Sequence, residues 1–97
     1  MPFVIVLAPD AVEDLKRLRG NLRSSVRTAI ETHLRHEPEK TSRSRIKRLQ
    51  GTLGPQYRLR VDDMRVFYDV YGATVEVVAI VTKSEAESWL ARFANLE

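Results

Sequence analysis

The sequence of 97 residues contains no cysteine and only four glycines and four prolines. Without cysteine the chain can form neither disulfide bonds nor thiolate metal sites, and this composition fits a reducing compartment. The longest apolar run near the N-terminus, Phe3 to Ala8, has six residues. It is too short for the core of a signal peptide and far below the ~20 residues that cross a bilayer. We therefore expect a small soluble protein of the cytoplasm with no membrane partner.

Internal repeats, linkers and low-complexity segments are also absent from the sequence. Hydrophobic residues make up 43% and charged residues 30%, which is the composition of a folded globular chain and not of a disordered or fibrous one. A chain of this length has room for one sheet and one core layer. We predict a single domain over residues 1–97, with no second domain for a cofactor and no cofactor.

Charge is present but unevenly distributed. The segment from Lys40 to Arg65 contains eight basic and two acidic residues, a net charge of +6, and the remainder of the chain is at −3. A basic block in an otherwise slightly acidic chain indicates a local anionic partner. A solvated cationic surface without a ligand would have the same composition, so charge alone leaves both interpretations open.

Periodicity in the first half of the chain predicts one strand and a helical hairpin. The N-terminal apolar run is typical of a buried strand. We expect Asp10 to cap a helix that begins at Ala11, because its carboxylate can accept the free backbone N–H groups of the first turn. Gly20-Asn21 ends this helix, and a second apolar stripe at helical spacing extends from Leu22 to Leu34.

The second half of the chain predicts an antiparallel sheet. Tyr57 to Val61 and Met64 to Tyr71 flank Asp62-Asp63, a two-residue hairpin loop. A third strand, Thr74 to Val81, follows a second tight turn, and Ile46 to Leu49 is predicted as a short strand.

A final helix of about ten residues is expected to begin at Ser84, with Glu87 three positions later completing a capping box. Gly51 to Pro55 is predicted as a turn. The predicted fold class is therefore α+β: an N-terminal strand, a helical hairpin on one sheet face, a three- to four-stranded antiparallel sheet and a C-terminal helix.

The two-residue loop fixes which residues face each other across the hairpin. Arg60 then lies opposite Arg65, and Arg58 lies on the same face opposite Phe67. Like charges directly across a strand pair destabilise it, so folding alone does not select this arrangement. Guanidinium groups match phosphate oxygens with two parallel hydrogen bonds, which predicts a phosphate site. The alternative is that carboxylates neutralise the arginines, namely those of Asp62, Asp63 and Asp69.

The third strand completes the two predicted faces of the sheet. The helix-covered face would then receive Val75, Val77, Ala79 and Val81. The arginine face would receive Glu76, Val78 and Ile80. An apolar patch of Phe67, Val78 and Ile80 is therefore expected beside the arginines.

The other candidate residues are single side chains. Lys83 follows the last strand and is expected at the same end of the sheet as the hairpin turn, either as a fourth cation or as an ordinary strand-end lysine. His33 and His36 lack a third ligand nearby in sequence, so we predict no metal site. Trp89 and Tyr71 would either stack on a nucleobase or pack within the fold.

Leu49-Gln50-Gly51, followed by the segment YRLRVDDMRVFYDV from Tyr57 to Val70, resembles the core signature of RelE-type toxins. The segment AVEDLKRL from Ala11 to Leu18 and the order of the elements are similar too, so the resemblance covers nearly the whole chain. The pairing of Tyr-Arg-Leu-Arg with Arg-Val-Phe-Tyr is typical of the RelE/ParE superfamily and discriminates less well among its members.

The resemblance implies the toxin of a type II toxin–antitoxin pair, a ribosome-dependent mRNA endonuclease that acts in the decoding site and inhibits translation. In this reaction the ribose 2′-hydroxyl attacks the adjacent phosphate. Catalytic roles are implied for Arg58, Arg60, Arg65 and Lys83. Contacts to RNA are expected from Arg45, Lys47, Arg48 and Trp89. The partners implied are mRNA in the ribosome and a cognate antitoxin that is acidic, partly disordered and folds on binding.

The sequence departs from RelE at several of these positions. RelE has lysines where this chain has Arg58 and Arg60, and the aromatic hydroxyl near the final helix is replaced by Trp89. Two alternatives therefore remain open. One is a ParE-like protein that inhibits DNA gyrase without catalysis, and the other is a catalytically impaired relative that binds only antitoxin or RNA.

Overall fold

The computed structural model describes residues 2–51 and 54–94, so the predicted turn from Gly51 to Pro55 lies partly outside the described residues. Strands and helices follow one another along these residues. They are β1 (Val4–Leu7), α1 (Pro9–Arg17), α2 (Gly20–Leu34), β2 (Ile46–Arg48), β3 (Tyr57–Val61), β4 (Met64–Tyr71), β5 (Thr74–Thr82) and α3 (Lys83–Ala94). The α+β class is confirmed, and the bounds of β3 and β4 agree with those predicted.

The strands form one mixed sheet of five, in the order β1-β5-β4-β3-β2. Four of them are antiparallel neighbours, as the sequence predicts, and β1 adds a fifth strand that pairs parallel to β5. Parallel neighbours need a long crossover connection, which the intervening helices and strands provide. The N-terminal strand therefore forms one edge of the sheet and β2 forms the other.

The helical hairpin packs on one face of the sheet, which we call the core face; the opposite face is the outer face. Fully buried side chains on the core face come from α2 and from the central strands: Val26, Leu34, Leu59, Val66, Tyr68, Val75 and Val77. The Tyr68 hydroxyl donates a 2.5 Å hydrogen bond to the Pro38 carbonyl oxygen, and burial raises the pKa of this hydroxyl. This bond ties the chain that follows α2 to the centre of the sheet.

A β-bulge between β4 and β5 changes which side chains share a face. The pairing moves from Phe67–Ala79 to Tyr68–Val77, so Val78 is the extra residue on β5. A bulge shifts the alternation of the strand by one residue beyond it. The faces predicted for the residues after Val78 are therefore wrong.

Ile80 belongs to the core face, where it is 3% exposed and pairs with Val66. Ala79 and Val81 lie on the outer face instead, because Val81 pairs with Arg65. The expected patch of Phe67, Val78 and Ile80 is consequently not an exposed surface, since Ile80 is in the core and Phe67 is fully buried.

The first two helices begin earlier than predicted. Proline is favoured in the first turn of a helix, because its missing N–H would have no partner there, and α1 begins at Pro9 after the cap residue Ala8. Asp10 therefore lies in the first turn and does not cap the helix. Likewise, α2 begins at Gly20 and not at Leu22. No helix in residues 2–51 and 54–94 is long and apolar enough to cross a membrane.

The capping box of α3 uses different residues from those predicted. The Thr82 hydroxyl accepts the Glu85 backbone N–H at 3.2 Å, and the Glu85 carboxylate accepts the Thr82 N–H at 3.0 Å. The same Ser/Thr-x-x-Glu spacing occurs at Ser84 and Glu87, two residues later. Because β5 extends to Thr82, which pairs with Met64, the helix can begin at Lys83 and the earlier pair is used.

Asp14 covers part of the β5 edge that β1 leaves open. β1 ends at Leu7, opposite Val77, and α1 then runs beside the remainder of β5. The Asp14 carboxylate accepts the backbone N–H of Ile80 at 2.9 Å. A side chain thus takes the place of a neighbouring strand at an otherwise open edge.

Asp14→Ala is expected to lower the free energy of unfolding by about 1–3 kcal/mol, because it leaves the partly buried Ile80 N–H without a partner. Asp14→Asn keeps an acceptor and should lose less. Glu13→Ala, a change in an exposed residue of the same helix, is the control and should cost less than about 0.5 kcal/mol. Urea unfolding measures all three, and equal losses for Asp14→Ala and Glu13→Ala would contradict this role.

Candidate phosphate-binding site

The register of the β3–β4 hairpin places three arginines on the outer face. Arg60 pairs directly with Arg65, and Arg58 pairs with Phe67, so the three side chains extend to the same side. The turn begins at Asp62 with a φ of 51°, a left-handed conformation that aspartate tolerates better than most residues. The predicted register is confirmed. We call Arg58, Arg60 and Arg65 the arginine site.

Arg58 lies half-buried between β2 and β4. Its Nη2 donates to the Ser44 carbonyl oxygen at 3.3 Å, and its Nε is buried without a hydrogen-bond partner among the described residues. Burial, and then the neighbouring charges of Arg65 and Arg60, lower the pKa of Arg58. The three charges are therefore close enough to repel one another, and a bound anion would relieve this repulsion.

Arg65 is only 8% exposed, although it lies on the outer face. Its Nη1 donates to the carbonyl oxygens of Asp62 at 3.0 Å and Met64 at 2.9 Å. These bonds hold the hairpin turn. Arg65 therefore offers fewer donors to a ligand than Arg60, whose side chain is exposed.

Among the described residues, no carboxylate pairs with the arginine site. None of the ion pairs found in residues 2–51 and 54–94 includes an arginine of the site. Asp69, one of the candidate neutralising groups, instead accepts the Gln56 backbone N–H at 2.7 Å and the Tyr71 hydroxyl at 3.3 Å. The positive charge of the site is therefore available to an external anion.

Two lysines extend the positive surface. Lys47 pairs with Arg58 across β2 and β3 and lies on the outer face. Lys83 is the first residue of α3, and its backbone N–H donates to the Asp63 carbonyl oxygen at 2.7 Å. This contact places Lys83 at the turn end of the sheet, as expected. Both lysines are exposed.

Arg45 and Arg48 do not join the arginine site. Arg48 pairs with Tyr57 and lies 5.1 Å from the centre of its ring, on the core-face side. Strand alternation requires this, because Lys47 and its neighbour Arg48 point to opposite faces. Arg45 lies near His33 of α2, and its charge, after the larger effect of burial, lowers the pKa of that histidine.

Helix α3 crosses the outer face beside the arginine site. Trp89 stacks on Phe67, with ring centres 4.9 Å apart and planes 6° from parallel, and Phe93 lies 4.9 Å from the same indole. Of the two interpretations of Trp89, the structure shows the packing contact, and its contact with RNA stays a prediction. In the sequence, the spacing of Trp89 and Phe93, one turn apart on a helix, indicates an apolar stripe on α3 but not that this stripe covers Phe67.

Groups suited to proton transfer or metal binding are scarce near the arginine site. His33 and His36 belong to the α2 side of the molecule, and Tyr71 lies at the far end of β4. Within the part of the chain that the structure describes, no three His, Cys, Asp or Glu side chains are grouped to hold a metal ion. The arrangement can bind and polarise a phosphate more readily than it can exchange protons.

A family model described as the ParE toxin of type II toxin–antitoxin systems, parDE, matches residues 5–87. No curated protein sequence matches the chain.

Several solved structures have a similar fold. A RelB–RelE antitoxin–toxin complex from Methanococcus jannaschii matches with 22% identity and a TM-score of 0.64, covering 87% of this chain and 96% of that chain. An archaeal RelE–RelB complex from Pyrococcus horikoshii matches with 21% identity and a TM-score of 0.70, covering 86% and 97%. The RelBE2 toxin–antitoxin complex from Mycobacterium tuberculosis matches with 20% identity and a TM-score of 0.69, covering 84% and 99%. At these identities the likeness shows the fold.

Arg65→Ala is expected to lower the free energy of unfolding by about 1–3 kcal/mol, because two backbone carbonyls at the turn lose a charged donor. Arg60→Ala removes an exposed like charge opposite Arg65 and should leave stability within about 0.5 kcal/mol or raise it slightly. Urea unfolding at low ionic strength compares the two variants. If Arg65→Ala lowers the free energy of unfolding no more than Arg60→Ala does, Arg65 does not hold the turn.

Proposed function

Because the chain belongs to the ParE toxin family of type II toxin–antitoxin systems, we propose that it is a toxin whose arginine site binds RNA phosphates and cleaves mRNA on the ribosome. The observation that carries this proposal is the set of three guanidinium groups on one rigid hairpin, with no carboxylate paired to them in the described residues. A planar guanidinium fork is the side chain best matched to phosphate oxygens.

In the proposed reaction the 2′-oxygen of a ribose forms a bond to the adjacent phosphorus, and the bond from phosphorus to the 5′-oxygen breaks. Negative charge develops on the non-bridging oxygens, and donors fixed in advance at these oxygens lower the barrier. We assign this task to Arg60 and Arg58, because Arg65 Nη1 already donates to backbone carbonyl oxygens. The products are a 2′,3′-cyclic phosphate and a 5′-hydroxyl.

Proton transfer is assigned to Lys83 and to water. An arginine stays protonated in proteins, so the arginine site cannot act as a base. Lys83 begins α3 at the turn end of the sheet and gives a proton to the leaving 5′-oxygen, while water takes the proton of the 2′-hydroxyl. One acid and water suffice where the ribosome holds the mRNA in a reactive geometry, because alignment alone lowers a large part of the activation barrier.

An antitoxin is the second proposed partner. The similar solved structures are complexes of RelE toxins with RelB antitoxins, and a family toxin needs an inhibitor of its own. We assign its acidic part to the arginine site. Apolar contact is available at the opposite end of the outer face, where Val4, Val6 and Tyr71 are 57%, 45% and 56% exposed.

Gyrase inhibition is the second candidate function. It is favoured by the family model, which is that of ParE, and by the lack of an imidazole or phenol beside the arginine site in the described residues. A toxin that only binds its target needs a rigid cationic surface and no general base.

Arg58→Ala combined with Arg60→Ala is expected to abolish growth arrest and to reduce mRNA cleavage by at least about 10²-fold, the usual effect of losing a transition-state donor. Primer extension on one transcript after induction measures cleavage as new 5′ ends within translated codons. Arg58→Lys with Arg60→Lys keeps the charges and should retain part of the activity.

Arg27→Ala, a change in an exposed residue of α2, is the matched control and should cleave like the wild type. Growth arrest with DNA damage and without new 5′ ends would contradict RNA cleavage and would support gyrase inhibition. Full cleavage by the double alanine variant would overturn the assignment of the arginine site.

A further inference from the structure

A second group of nitrogen-bearing side chains lies behind the segment from Ser42 to Arg45, as seen from the arginine site. A cavity of about 240 Å³ separates the C-terminal part of α2 from the loop that precedes β2. His33, His36, Lys40 and Arg45 line it, together with Glu37. We call this cavity the histidine pocket.

The chain between Ser42 and Arg45 forms the wall between the histidine pocket and the arginine site. On one side, Arg58 Nη2 donates to the Ser44 carbonyl oxygen at 3.3 Å. The Arg60 backbone N–H donates to the Arg45 carbonyl oxygen at 2.8 Å. On the other side, the Arg45 side chain faces His33 across the pocket. Positive charge is therefore continuous around this end of the sheet.

This wall is held in place by a local hydrogen-bond pattern. The Ser42 hydroxyl accepts the backbone N–H groups of Arg45 at 2.9 Å and Ile46 at 3.2 Å. The Ser42 N–H donates to the Ile46 carbonyl oxygen at 2.9 Å. Ile46 is itself buried in the core. The pocket is consequently formed by fixed backbone and not by a free loop.

We propose that the histidine pocket is a second phosphate-binding subsite, which receives a phosphate of the same RNA strand after that strand has passed the arginine site. The identification of RNA rests on the proposed function. The ability to bind a tetrahedral oxyanion rests only on the residues of the pocket.

The charge balance of the pocket makes this subsite sensitive to pH. Glu37 opposes the charges of Lys40 and Arg45, and its carboxylate lies 3.8 Å from the Lys40 Nζ. Asp62 of the β3–β4 turn lines a neighbouring cavity together with His33. Burial and the charge of Arg45 lower the pKa of His33. An anion in the pocket favours the protonated imidazole, so binding must strengthen as the pH falls.

Sulfate is the first probe, because its charge is constant over the pH range in which histidine titrates. Sulfate should shift the imidazole resonances of His33 and His36 in NMR spectra and should bind more tightly at about pH 5.5 than at about pH 7.5. Arg45→Gln should weaken this binding about tenfold, the typical effect of losing one charged hydrogen bond. Arg19→Gln, a change of the same charge at the opposite end of α2, is the control and should have no effect.

The second probe is a short single-stranded RNA with 2′-O-methyl groups, which removes the nucleophile and so separates binding from cleavage. The slope of log affinity against log salt should become shallower by about 0.7 in Arg45→Gln, the value expected when one phosphate of a single strand is no longer neutralised. If the salt dependence of RNA affinity has the same slope in Arg45→Gln and Arg19→Gln, the histidine pocket does not bind an RNA phosphate.

Sulfate that leaves both histidine resonances unmoved at pH 5.5 would overturn the subsite itself. The cations would then only balance the negative carboxyl end of α2. The Arg58→Ala and Arg60→Ala double variant separates this result from failure of the proposed function. This variant lacks the arginine site. If sulfate still shifts the histidine resonances in it, the histidine pocket binds anions by itself, whether or not the protein cleaves mRNA.

Discussion

The two-residue turn at Asp62-Asp63 is the constraint on which the rest of the site depends. With only two residues in the loop, Val61 must pair with Met64, and Arg60 then falls opposite Arg65. A slip of one residue would move Leu59 and Val66 from the core to solvent. Burying each of these side chains is worth about 1.5–3 kcal/mol, against about 0.2–1 kcal/mol for one cross-strand pair. The core therefore holds the arginines together against their repulsion.

Three arginines in one short motif have three different environments. Arg65 is buried and bound to backbone carbonyls, and Arg60 is exposed. Arg58 is half-buried, and its buried Nε has no hydrogen-bond partner in the part of the chain that the structure describes. Backbone carbonyls at the turn replace water around Arg65, which is how a buried charge is accommodated without a carboxylate. Loss of activity on changing Arg65 would accordingly not show that it touches the ligand, whereas loss on changing Arg60 would be more direct evidence of contact.

The hairpin register was predictable from the sequence, whereas the helix starts and the features that depend on distant residues were not. The hairpin register follows from its loop, so the shared face of Arg58 and Arg60 was predictable. The bulge at Val78 was not, because the residues from Val77 to Val81 are all apolar and fit either face equally well. Cover of Phe67 by Trp89, and the turning of Arg45 toward His33, depend on where α3 and α2 pack, which no local pattern fixes.

The outer face is divided by α3 into two surfaces of different chemistry, and this division bears on how the proposed toxin is silenced. If RNA binds at the cationic end as proposed, its affinity falls steeply with salt, because each phosphate contact releases counterions. Burial of Val4, Val6 and Tyr71 by an antitoxin would add affinity that salt does not weaken. At physiological ionic strength an inhibitor that spans both surfaces would therefore be favoured over the proposed RNA ligand, which would use only the cationic surface. The inhibitor would not need to bind the arginines more tightly than RNA does, because its advantage would come from the burial of apolar side chains.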